Sequence, residues 1–221
     1  MIPERLWMNA AYLALFVALT SAATLAASCG DTAGNPASTC EGTFSLENAA
    51  DIEEVQFCLE ITGDLNMGES FGLSEIELPD LASIGGDLYV NVPERLESMN
   101  FPALTTVGSS VGVSNCDLLP SLDGLPKLKT TGGTLLIGYD DALTDLNGLA
   151  NLESVGGDLW ILGNEHLSDV NALAGVSVAG GVRIEDNPSL PTCRAEALVD
   201  QLVGVTGEVK ISGNDDTTTC E

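Results

Sequence analysis

From Gly63 onward the chain repeats one motif, G-x-L-x-I-x-x-N-x-x-L, whose clearest copy is Gly157–Leu167. With the leading position as marker, the copies begin at Gly63, Gly86, Ser109, Gly133, Gly157, Gly180 and Gly207. They are separated by 23, 23, 24, 24, 23 and 27 residues. A fixed period in this range is the signature of a solenoid, in which each repeat buries its apolar side only against its neighbours.

Stacking the copies produces columns. The first strand position holds Leu65, Leu88, Val111, Leu135, Leu159, Val182 and Val209; two residues on come Met67, Val90, Val113, Ile137, Ile161, Ile184 and Ile211. Apolar residues at alternate positions mark a β-strand with one buried face. A leucine column follows at Leu73, Leu96, Leu119, Leu143, Leu167 and Leu190, then a column ending in Cys193 and Cys220. The expected fold is mainly β: a right-handed β-helix or leucine-rich-repeat-like solenoid of about seven coils, with a short capping helix near each end. The N-terminal helix is expected within Ser45–Phe57, where Leu46, Ala49, Ala50, Ile52 and Val55 recur at a helical period. The C-terminal helix is expected at Arg194–Leu202 with Thr192 as its N-cap, and it accounts for the longer last spacing.

Another column reads Ser70, Pro93, Cys116, Asp140, Asn164, Asn187 and Asn214. In leucine-rich repeats this place is usually Asn or Cys, and an inward side chain there can satisfy backbone groups that the corner leaves unpaired. Cys116 suits that role as a small, weak donor and reads as a buried structural thiol. Cys193 and Cys220 occupy equivalent places in adjacent coils, about one strand spacing apart, within reach of a disulfide.

Residues 1–28 read as an export signal: one base, Arg5, precedes an apolar run from Ala10 to Ala27. The run ends in Leu25-Ala26-Ala27-Ser28-Cys29-Gly30, which resembles a bacterial lipobox, with Cys29 as the lipidated residue. An uncleaved anchor or ordinary signal cleavage would serve equally to place the domain outside the cytoplasm. Gly30 is not the aspartate that retains such lipoproteins at the inner membrane, so an outer-membrane or extracellular location in a bacterial envelope is expected. Residues 29–39 form a flexible tether rich in small residues and proline, and 40–221 the folded domain.

The start of that domain resembles a known family. Cys40-Glu41-Gly42-Thr43, a helix, then Cys58-Leu59-Glu60-Ile61-Thr62-Gly63-Asp64-Leu65-Asn66-Met67 resembles the opening of receptor L domains, C-x-G-T followed by C-x-x-[IV]-x-G-x-L-x-[IL]. Those are the ligand-binding β-helices of growth-factor and insulin receptors. The resemblance implies a Cys40–Cys58 disulfide. The glycine-regular repeats look more like bacterial surface lipoproteins with L-domain-like repeats, and no growth-factor-binding residue carries over.

The formal charge is −26, from 33 acids against 7 bases. Removing residues 1–28 takes away one acid, Glu4, and one base, Arg5, so the balance is unchanged. Such a surface excludes nucleic acid, whose phosphates need Lys and Arg, and opposes adsorption to anionic lipid; the expected membrane contact is the N-terminal lipid alone.

The single histidine, His166, sits at an exposed corner with no second histidine to support a catalytic or zinc site. No phosphate-binding G-K-[ST] is present. The acid pairs Asp140-Asp141 and Asp215-Asp216 read as solvated corners, because calcium needs six to eight oxygen ligands. Arg183 and Lys210 read as a charge ladder with Asp158 and Glu208. No metal, cofactor or enzymatic activity is expected.

The outward strand positions are Asn66, Tyr89, Gly112, Leu136, Trp160, Arg183 and Lys210. Leu136, Trp160 and Leu162 are expected to form an exposed apolar patch, with Tyr89 beyond a shallow dip at Gly112. Exposed apolar clusters and aromatic anchors mark binding surfaces. The expected function is non-catalytic recognition of a protein or envelope glycan; the alternatives are a carbohydrate-active β-helix enzyme and a purely structural envelope component.

Overall fold

The computed structural model describes residues 38–68, 72–92 and 95–220. The expected signal segment 1–28, Cys29, most of the expected tether, and the column members Ser70 and Pro93 lie outside the described residues.

The described chain is mainly β, with parallel strands gathered into three sheets and two α-helices. The eight-stranded sheet contains β2 (Phe44–Leu46), β4 (Leu65–Met67), β7 (Leu88–Val90), β10 (Val111–Ser114), β12 (Leu135–Gly138), β14 (Leu159–Leu162), β16 (Val182–Glu185) and β17 (Val209–Ser212), neighbours in that order. The seven-stranded sheet contains β1 (Ser38–Cys40), β3 (Cys58–Ile61), β6 (Ser83–Ile84), β9 (Thr106–Val107), β11 (Thr130–Thr131), β13 (Ser154–Val155) and β15 (Ser177–Val178). A third pair joins β5 (Glu75–Glu77) to β8 (Ser98–Asn100).

The register follows the sequence columns. Leu135 pairs with Leu159 and Ile137 with Ile161; Leu159 pairs with Val182 and Ile161 with Ile184. Both inward columns are fully buried until the last strand, where Val209 is 44% exposed because no further repeat covers it. Each fully buried Leu or Ile contributes roughly 1.5–3 kcal/mol relative to exposure, so the core is a sum of similar increments along the stack.

Two backbone approaches explain the glycine pairs. A Cβ on Gly132 would stand 1.9 Å from the Gly108 carbonyl oxygen, and one on Gly156 would stand 2.3 Å from that of Gly132. At these two positions a side chain would clash with the backbone of the preceding repeat.

The N-terminal end differs from the sequence expectation. Phe44 and Leu46 form β2, pairing with Leu65 and Met67, so Leu46 belongs to a strand and not to the capping helix. The helix, α1, is Ala49–Val55 and begins at Asn48, whose Oδ1 accepts the Ala50 N–H while Asp51 receives the Asn48 N–H. Gly42-Thr43-Phe44-Ser45-Leu46 is thus one more copy of the motif, raising the strands in this sheet to eight. The tether also ends earlier than expected: Ser38 and Thr39 lie in β1, paired to β3.

At the C-terminal end, α2 spans Thr192–Gln201 with Pro191 at the N-cap. Thr192 is its first helical residue and not the cap; its Oγ1 donates instead to Asp216 at 2.5 Å.

Cys40 is bonded to Cys58 and Cys193 to Cys220, with Cα separations of 5.7 and 6.0 Å, while Cys116 is free and buried. Two disulfides are the mark of an oxidising, extracytoplasmic environment. Among the described residues, no helix is long and apolar enough to cross a membrane.

Candidate functional site

Two columns of hydrogen-bonding side chains hold the repeats in register. In the first, each side-chain oxygen accepts a backbone N–H from the repeat before it: Asn214 Oδ1 from Asn187, Asn187 Oδ1 from Asn164, Asn164 Oδ1 from Asp140, and Asp140 Oδ1 from Cys116, at 2.8–3.2 Å. The second runs the opposite way just before the strands. Asp64, Asp87, Ser110, Thr134 and Asp158 each accept the N–H of the next repeat's equivalent residue, the shortest being Gly181 to Asp158 Oδ1 at 2.6 Å. This second column was not foreseen, although Asp or a hydroxyl residue after the marker glycine recurs plainly in the sequence. Charge-assisted bonds of this kind are the stronger ones, so these aspartates serve the fold as well as solubility.

Asp140 is the exception to the expected solvated acid pairs: it is fully buried. Burial, reinforced by Asp117 and Asp141, pushes its carboxyl up to about 7. Burial likewise pushes the Cys116 thiol up, with Asp140 adding to the effect. Cys116 is therefore held as an unreactive thiol. Asp215 behaves oppositely, its carboxyl drawn down to about 2 by bonds donated by Thr217 and Thr218.

The outward face of the eight-stranded sheet carries the expected stripe in the expected order: Asn66, Tyr89, Gly112, Leu136, Trp160, Arg183 and Lys210 are paired neighbour to neighbour. Its surface differs from the expectation. Leu136 and Leu162 are only 7% and 4% exposed, so they form no exposed patch. Gly138 lies between them: a Cβ there would meet Leu162 Cβ at 3.5 Å and Leu136 Cδ1 at 3.6 Å. Gly112 leaves no dip either, because the Tyr89 ring leans over it, 3.2 Å from where its Cβ would stand. Glycines on an outward column let neighbouring side chains lie down across the sheet, and alternation alone cannot register this.

Trp160 is half-buried at the centre of this face, with the Arg183 guanidinium 5.9 Å from its ring centroid, within cation–π range. Arg183 Nε donates to Glu185 Oε2 at 2.6 Å, and Lys210 Nζ and Ser212 Oγ donate to Glu185 Oε1 at 2.5 and 2.9 Å. Arg183 and Lys210 thus share Glu185, an acid outside the expected ladder with Asp158 and Glu208. Burial alone would raise the Glu185 carboxyl, but the bonds from Lys210, Ser212 and Arg183 outweigh it and hold it below its ordinary value. At the other end of the face, Asn91 Nδ2 donates to the Tyr89 hydroxyl at 2.8 Å.

His166 is exposed, with Nδ1 2.7 Å from the Asp141 carbonyl oxygen. Among the described residues, no group of three or more His, Cys, Asp or Glu is placed to hold a metal ion. The face offers an aromatic ring, a phenol with its amide partner, and a fixed cluster of two cations on one carboxylate, all standing on strands locked by the two side-chain columns. Compared with known proteins, the chain matches no family model, no curated protein and no solved structure.

Proposed function

We propose that this chain is a non-catalytic recognition module of the bacterial envelope, binding a protein or an extended glycan along the outward face of its eight-stranded sheet. The observation that carries this reading is Trp160, half-buried between Leu136 and Arg183 on a sheet whose neighbours are fixed in register. An aromatic ring held on a rigid sheet loses little ordering entropy on docking, and Tyr89, three strands away, lies about 14 Å off at ~4.8 Å per strand. A partner touching both rings is an extended one. Leu136 and Leu162, nearly buried on the same face, support Trp160 from the side and are not contacts of their own. Glu185, kept ionised by two cations, is suited to holding Arg183 beside the ring and poorly suited to donating a proton.

The finer architecture fits the same reading. Repeats that bury their apolar columns against one another make a right-handed β-helix or leucine-rich-repeat-like solenoid, and residues 40–67 resemble the opening of a receptor L domain. Lipidation at Cys29 would tether the module to the outer membrane.

The test is a glycan array and a pull-down from envelope extract, each run with the wild-type chain and with Trp160→Ala. Binding lost in the variant supports the face; binding retained by a folded variant moves the site elsewhere. Turnover of any polysaccharide would replace this reading with an enzymatic one.

A further inference from the structure

The inward column that joins the repeats has one irregular member. Asn164, Asn187 and Asn214 each use both edges of the amide: Oδ1 accepts from the previous repeat's backbone, and Nδ2 donates to a strand carbonyl of that repeat. The acceptors are Ile137 O at 3.3 Å, Ile161 O at 3.1 Å and Ile184 O at 2.8 Å. Cys116 repeats the second half of this arrangement, its Sγ reaching Val90 O at 3.9 Å. Ile137, Ile161 and Ile184 are register partners, and Val90 and Val113 precede them in the same row. The acceptor that corresponds to Asp140 is therefore the Val113 carbonyl.

Asp140 completes only half of the pattern. Its Oδ1 accepts the Cys116 N–H at 2.8 Å, whereas Oδ2, in the place where the asparagines carry a donor, is buried without a hydrogen-bond partner. It is the only buried side-chain nitrogen or oxygen in that condition among the described residues. A carboxylate there would set an oxygen against a carbonyl oxygen in a site with no water access; a carboxylic acid would supply the missing donor.

We propose that Asp140 is a proton-dependent link in this column: as a neutral acid it donates from Oδ2 to the Val113 carbonyl, and when it loses that proton the junction between the repeats carrying Cys116 and Asp140 loosens. The backbone hydrogen bonds of Cys116 and Gly138 favour the charged form, but burial and the neighbouring acids outweigh them. The preceding repeat presents the Cys116 thiol and Asp117, its own corner presents Asp141, and the following repeat presents the uncharged Asn164 amide. The charged groups acting on it are both acids. Because β12 ends two residues earlier at Gly138 and pairs Leu136 with Trp160 of the next strand, loosening at this junction reaches the outward face.

Two measurements decide it. In the intact chain labelled with ¹³C at aspartate Cγ, one carboxyl should remain protonated at about pH 6, well above the ordinary aspartate value of about 3.9, and that resonance should be missing in Asp140→Asn. A wild-type spectrum in which every aspartate is ionised at that pH overturns the proposal without needing any variant. In denaturant titrations, the wild-type unfolding constant should rise relative to that of Asp140→Asn by up to tenfold per pH unit between about 4 and about 7. Hydrogen exchange at Asn115–Asp141 should quicken over the same interval in the wild type alone. Parallel stability profiles for the two proteins overturn it.

Discussion

Asn187 Oδ1 accepts the backbone N–H of Asn164 at 3.0 Å, while the Asn187 amide donates from its other edge to the carbonyl of Ile161 at 3.1 Å. One side chain thereby joins two adjacent repeats at a corner where the backbone cannot pair with itself. Repetition of this bond along the column explains how short strands of two to four residues keep an unbroken register.

Replacing Asn187 by Leu should therefore be expensive despite a similar volume. It would strand a buried N–H and a buried carbonyl, each costing about 1–3 kcal/mol. A loss of at least about 2 kcal/mol is expected in chemical denaturation. For the same reason Cys116→Asn should be tolerated better than Cys116→Leu, because Asn restores a donor toward Val90 and Leu removes it. Equal losses for the two Cys116 variants would show that the position selects only for size.

The apolar columns, the strand register, the Cys193–Cys220 bond and the free Cys116 were legible in the sequence because a repeat displays each structural position several times over, whereas Cys40–Cys58 was implied only by the resemblance to receptor L domains. What was hidden lies where one residue departs from its column. Phe44 and Leu46 escaped notice because their copy of the motif stands beyond Cys58 and the helix, 21 residues before Gly63. Leu136 and Leu162 were expected to be exposed because alternation gives the face of a side chain and not what lies beside it across a glycine. The sharing of Glu185 by Arg183 and Lys210 depends on the strand register between β16 and β17, and this acid stands two residues after Arg183, whereas Asp158 and Glu208 stand two residues before their stripe members.

The Cys193–Cys220 bond should contribute stability at the end of the stack, where Val209 lacks cover. It closes a separation of 27 residues, for which chain entropy gives about 3 kcal/mol. Cys193→Ser with Cys220→Ser should lower the denaturation midpoint accordingly and speed proteolysis within residues 203–220 before the rest. Non-reducing peptide mapping of the wild type should recover this bond and Cys40–Cys58; a peptide linked through Cys116 would contradict the register.

Acid should destabilise the chain through Asp215 and Glu185. Both are held below their ordinary values in the folded state, so their contribution is fully present above about pH 4 and is lost as the pH falls. For Asp215 the loss runs from about 4 down to about 2. Asp140 has the opposite sign, its folded value lying above its unfolded one. Its contribution is complete below about 4 and disappears as the pH rises through about 7. Asp215→Asn should flatten the acid side of a melting-temperature profile and leave the side near neutrality alone; a variant that shifts both sides equally would refute the assignment.

The proposed binding face yields the most demanding prediction, because a residue can matter there for contact or for support. Trp160 is half-buried beside its strand neighbour Leu136, which is 7% exposed. If the ring is the contact, Trp160→Ala should weaken affinity for the partner retrieved from envelope extract by about 2 kcal/mol or more, as expected of an interface hot spot. Its melting curve should change little. Leu136→Ala should do the reverse at first order, lowering the melting temperature by removing buried apolar volume and reducing affinity only as far as the ring loses its support from the side. Glu185→Gln separates the electrostatic part: it keeps the shape but removes the charge that holds Arg183 beside Trp160. That variant should give an affinity loss that shrinks as salt is raised, since screening already weakens the ion pairs in the wild type. A Trp160→Ala protein with unchanged affinity would take the ring out of the site, and one with a large drop in melting temperature would make Trp160 a packing residue.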